Sequence, residues 1–192
     1  MLLAVEGPGA YAYPEPDIVS PSWSLEFTFE NPAPIVVRDA RGQLTWYWYM
    51  TYQVVNRTGE DRMFIPECTI AEDDGRIITA GQGVPPGVFT QIKAQLGNPL
   101  LESPIEVVGK ILQGIDYAKQ SVAIWPCPLN DVDEFSVFIA GLSGETATIQ
   151  NPITDEDVLM RRSVMLQFST PGNNTRPQVQ PVVLSDRRDV MR

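Results

Sequence analysis

Histidine is absent from all 192 residues. With it go the commonest general base, the Ser-His and Cys-His nucleophile pairs and the usual zinc and copper ligands. Cysteine is scarce, at two, which excludes a dense disulfide framework and leaves any transition-metal site to carboxylates. Cationic side chains are outnumbered, with 14 Lys and Arg against 24 Asp and Glu and a net charge of -10. That balance argues against nucleic acid as a partner, since phosphate binding runs on clustered Lys and Arg. It also disfavours docking on anionic lipid. No stretch approaches the roughly 18 apolar residues that a membrane-spanning helix needs. The start, Met1-Leu2-Leu3-Ala4-Val5, lacks a basic region and is too short an apolar run for a complete secretory signal. It reads as the remnant of one or as an ordinary N-terminus. No catalytic residue and no cofactor are expected, and a small-molecule ligand is disfavoured.

What is present is a globular core in short pieces. Hydrophobic residues make up 43% of the chain, too many for a disordered one. Its 17 Pro and 14 Gly fall between apolar runs, which predicts many turns joining short elements. Residues 1–22 carry Pro8, Pro14, Pro16 and Pro21 and read as an extended arm, either a loose tail or a segment that docks on a neighbouring subunit through Tyr11 and Tyr13. From residue 23 to 192 the pattern is that of one β-sandwich domain. Trp23, Leu25, Phe27 and Phe29 alternate with polar residues, the period of a half-buried strand. Thr45 to Val55 is the strongest strand, with Trp46, Trp48, Met50, Tyr52 and Val54 on one face and Tyr47, Tyr49, Thr51 and Gln53 on the other. Further strands are predicted near residues 34–38, 62–65, 68–70, 76–79, 121–125, 135–140, 147–149, 160–169 and 179–184. Eight to ten of these candidates as full strands, with turns between them, favour a sandwich over a βαβ fold.

A helical excursion spans about 86–114. Val88, Phe89, Ile92 and Leu96 recur at helical spacing and stop at Gly97. Ser103-Pro104-Ile105-Glu106 has the form of a capping box and predicts a second helix through Ile105, Val108, Ile111 and Leu112 to Gly114. The expected fold is therefore mostly β, an antiparallel sandwich with a short two-helix insertion.

Few residues carry candidate chemistry. Cys68 and Cys127 flank strand ends; a bridge between them would close a loop of roughly 60 residues and add about 4 kcal/mol, and two unpaired thiols are the alternative. Acidic turns at Glu72-Asp73-Asp74, Asp131-Asp133-Glu134 and Asp155-Glu156-Asp157 match no EF-hand spacing. Asp73, Asp74, Asp131 and Asp133 remain weak calcium candidates. Paired carboxylates would also serve a glycoside hydrolase, a third choice because the separation that decides its mechanism is not written in the sequence. Tyr47 and Tyr49 are either covered by the helical excursion or exposed as a contact surface for a protein or a sugar. Asn56-Arg57-Thr58 and Asn173-Asn174-Thr175 match the short glycosylation signal.

The stretch Tyr47-Trp48-Tyr49-Met50-Thr51-Tyr52-Gln53-Val54-Val55-Asn56-Arg57-Thr58-Gly59-Glu60-Asp61 resembles a family of exported bacterial immunoglobulin-like β-sandwich proteins of unassigned function. So do Ala123-Ile124-Trp125-Pro126, the run from Phe138 to Thr146 and the terminal Val190-Met191-Arg192. The resemblance implies an exported sandwich and transfers no catalytic residue. The resulting expectation is a non-enzymatic protein of the envelope or extracellular space that works through protein contacts or self-association, as part of an assembly. A carbohydrate- or calcium-binding module is the alternative.

Overall fold

The computed structural model describes residues 23–38, 42–72, 75–126, 134–151, 155–170 and 182–192. Among them are twelve strands and one α-helix, and the ladders joining the strands are antiparallel, as in a β-sandwich. Each sheet is organised by one long strand that carries two short ones, end to end, along a single flank. In the first sheet that strand is β3 (Leu44–Val55). It pairs with β8 (Lys119–Pro126) on one side, and with β1 (Glu26–Phe29) and then β2 (Ala33–Arg38) on the other. The Glu30 amide still reaches the Thr51 carbonyl at 3.0 Å, but Pro32 has no N–H to give and the ladder restarts at Ala33.

In the second sheet the long strand is β11 (Asp157–Ser169). Its flank holds β9 (Glu134–Ala140) and β10 (Thr146–Gln150), and its far side holds β12 (Val183–Met191). Beyond β9 the sheet continues through β5 (Glu67–Glu72) to β6 (Ile77–Thr79).

The alternation read in β3 divides its side chains between two apolar layers. Trp48, Met50, Tyr52 and Val54 face the second sheet and meet Trp125, Ile70, Val137, Ile139, Leu166 and Phe168. Tyr47 and Tyr49 face the other way, where α1 (Pro86–Leu96) lays Val88 and Ile92 over them. Pro86 begins this helix where a missing N–H costs nothing, and Gly97 ends it in the left-handed conformation, donating its N–H to the Lys93 and Ala94 carbonyls. The result is three layers, helix on sheet on sheet.

The second predicted helix does not form. Its capping box does: the Ser103 amide donates to the Glu106 carboxylate at 2.8 Å, and the Glu106 amide to the Ser103 hydroxyl at 3.2 Å. The Ser103 amide first, and next the Ser103 hydroxyl, hold the Glu106 carboxyl below the usual carboxylate range. One turn later the chain passes through Gly109 and enters β7 (Gly109–Ile111), which pairs with β4 (Arg62–Phe64). Of the expected helical stripe only Ile111 is buried; Ile105, Val108 and Leu112 are exposed. A helix would have buried Ile111 with those three, whereas the strand buries Ile111 and Val107 in the main core. Tertiary pairing overrides the local signal.

The last strand also differs from expectation. Residues 179–181 lie outside the described residues, and the chain is paired from Val183 through Met191 despite Asp186, Arg187, Arg188 and Asp189. This strand is an edge, and inward-pointing charge is a common guard of an edge. The Arg187 guanidinium lies 5.8 Å from the Phe29 ring centre and donates to the Phe27 carbonyl at 3.2 Å, tying β12 to β1 across the sandwich.

Candidate functional site

The β4–β7 ribbon stands at the end of the sandwich where β3 finishes. Phe64 and Ile111 point inward and are fully buried, so the alternation of a strand turns their neighbours outward. Met63 is 60% exposed and Ile65 59%; Lys110 stands opposite Met63, and the exposed Val108 and Leu112 lie immediately before and after β7. Ile105, 85% exposed, sits one turn before Val108, whose amide donates to its carbonyl. Lys110 and Asp61 form an ion pair at 3.3 Å among these apolar groups. Single exposed apolar residues are ordinary, but a run of Met and Ile side chains on one small surface is what interaction sites present.

This surface is held rigidly from below. Asn56 is fully buried at the end of β3. Its amide nitrogen donates to the carbonyls of Glu60 and Ile111, at 2.9 Å each. Its side-chain oxygen accepts from the Thr58 amide at 3.1 Å and the Thr58 hydroxyl at 2.9 Å. Gln113 spans the same turn, donating to the Glu60 carbonyl and accepting from the Gly59 amide. Arg62 pairs with Glu60 at 3.2 Å and lies 5.2 Å above the Trp23 ring, which brings the start of β1 to the foot of the ribbon. Asn56-Arg57-Thr58 is thus an Asx turn with a working amide, not a free acceptor for a glycan. Sequence reading registered the motif and missed its structural use.

The remaining expected site residues distribute as follows. Tyr47 and Tyr49 are 6% and 9% exposed beneath α1, so they are core and not a contact surface. Burial raises the Tyr49 hydroxyl above its ordinary pKa. Cys68 is a buried free thiol, pushed up to about 12 by desolvation and then by the Glu67 charge. Cys127, Asp73, Asp74, Asp131, Asp133, Tyr11, Tyr13 and the Asn173 motif lie outside the described residues. Glu72, expected in a solvated turn, is instead buried at the end of β5 with Arg76 3.3 Å from its carboxylate.

Among the described residues, clefts open on both outer sheet faces. One, of about 320 Å³, lies where α1 stops and exposes a polar row of Thr28, Gln53 and Gln120, with Asn98 and Glu30 at its rim. The other, of about 280 Å³, is lined by Glu67, Thr79, Phe138, Arg161, Ser163 and Arg192. Each contains a single carboxylate, so neither supplies the paired acids a glycoside hydrolase needs. Among the described residues no three acidic or cysteine side chains gather to hold a metal. No helix among them is long and apolar enough to cross a membrane. No family model, curated protein or solved structure matches the chain.

Proposed function

We propose that this protein is a non-catalytic assembly module that self-associates through the apolar face of the β4–β7 ribbon. The observation that carries this reading is the exposure of Met63, Ile65 and Ile105 on a ribbon whose backbone is clamped by Asn56 and Gln113. A rigid apolar surface loses little entropy on docking, which favours association over solvation. The absence of histidine and the single carboxylate in each cleft support a binding role in place of a chemical one. The immunoglobulin-like assignment and an exported location rest on the resemblance carried by residues 47–61, 123–126 and 138–146.

Light scattering across a concentration series tests self-association. The wild-type chain is expected to rise in mass with concentration, and Met63→Asp with Ile65→Asp to remain monomeric with an unchanged melting temperature. A wild-type chain that stays monomeric at every concentration would sink the proposal.

A further inference from the structure

Building on that reading, we infer that the group seated on the ribbon face is the N-terminal segment, residues 1–22, of a second copy of this chain. The first support is where the segment joins the fold. β1 pairs antiparallel with the end of β3, Glu26 opposite Val55, so Trp23 lies past Val55 at the end of the sandwich that carries the ribbon. The Ser24–Ser143 bridge and the bond from the Leu25 amide to the Leu142 carbonyl, 2.8 Å, fix that exit point. Arg62, next to Met63, sits over the Trp23 ring.

The second support is the chemistry of the segment. Leu2, Leu3, Val5, Tyr11, Tyr13, Ile18 and Val19 give it an apolar content that matches a surface of Met, Ile, Val and Leu. The third is reach. Pro14, Pro16 and Pro21 fix φ and favour an extended chain, which rises about 3.1 Å per residue. Tyr13 stands ten residues before Trp23, so an extended run carries it roughly 30 Å from a ribbon that begins beside Trp23. A segment of that reach can pass its own ribbon and meet that of a neighbour, and two copies exchanging segments this way would form a closed, isologous contact.

The test uses the full chain with a photo-crosslinking amino acid in place of Tyr13, prepared as a mixture of isotopically heavy and light protein. Cross-links are expected on the peptide carrying Met63 and Ile65, in pairs joining heavy to light. Pairs confined to one isotope would mean that the segment folds onto its own ribbon and would overturn the exchange. Cross-links landing elsewhere would overturn the choice of surface. In parallel, Tyr11→Ser with Tyr13→Ser is expected to weaken self-association at least ~tenfold in dissociation constant. If that variant associates like wild type while Met63→Asp with Ile65→Asp does not, self-association through the ribbon stands and the segment's role falls. If wild type is monomeric throughout, both fall.

Discussion

The side-chain amide of Asn56 donates to the carbonyl of Ile111 at 2.9 Å, across 55 positions of chain. This bond locks the β4–β7 ribbon onto the end of β3. The residue has no exposed surface, and each of its donors and acceptors is occupied. Asn56→Ala would take the amide donor from the buried Ile111 carbonyl and the acceptor from the Thr58 amide, while the Glu60 carbonyl keeps Gln113. The expected loss is about 3 kcal/mol of unfolding free energy, read from urea denaturation. A change below about 0.5 kcal/mol would show that the turn is held by Gln113 alone.

The same residue shows how far the sequence could be read. Periodicity located the long strands because β1, β3 and β9 each bury one face or both, and burial writes itself as alternation. β7 was illegible for the opposite reason. Its local signal, Ser103 to Glu106, is a true helix start that forms and then stops, because Phe64 and Ile111 gain more by burial in the core than a second helical turn would supply. β12 was read short because its charges have partners supplied by distant strands: Arg187 by Phe27 and Phe29, and Asp189 by Arg162. The ribbon face was invisible as a site, since Met63 and Ile65 look like core until the partner strand shows which way they point.

Gly141 is required by contact as well as by conformation. Its φ is 87°, and a Cβ placed there would stand 2.2 Å from the Ile65 carbonyl oxygen. That close approach is what lets the turn between β9 and β10 reach the start of β1. Gly141→Ala is expected to lower stability by at least ~2 kcal/mol, from left-handed strain and displaced backbone together. Thermal melting measures it; the variant should also show increased protease cleavage near Trp23, whose carbonyl accepts from Gly144.

Arg162 joins two strands by charge. Its guanidinium bonds Glu145 at 3.1 Å, before β10, and Asp189 at 2.5 Å on β12. Glu145 is almost wholly buried, so removing the guanidinium takes one compensating charge away from a carboxylate in a poor solvent for charge. Arg162→Met is expected to cost about 2 kcal/mol, less than for a fully enclosed pair because Asp189 is partly solvated. Adding Glu145→Gln should restore part of that loss. A double variant no more stable than Arg162→Met alone would show that the buried charge was not the cause.

Cys68 gives the fold an alkaline limit. Its thiol is raised from an ordinary 9.0 to about 12, chiefly by desolvation. The sign follows from which state holds the proton. Below pH 9 both folded and unfolded chains carry a neutral thiol, and the contribution to stability is fully present. Between 9 and 12 the unfolded chain loses the proton while the folded chain keeps it, so stability falls as pH rises. At pH 10 this one group removes on the order of 1 kcal/mol relative to pH 7. The buried Tyr52 hydroxyl, raised by desolvation and next by the Cys68 charge, adds to the decline at higher pH. Urea midpoints at pH 7 and pH 10, compared between wild type and Cys68→Ala, measure the difference, and the variant is expected to show the shallower fall. Peptide mapping supplies an independent check: Cys68 should take up iodoacetamide at pH 8 only after denaturant is added. Rapid labelling of the native chain would mean that the thiol is reachable and the alkaline limit lies elsewhere.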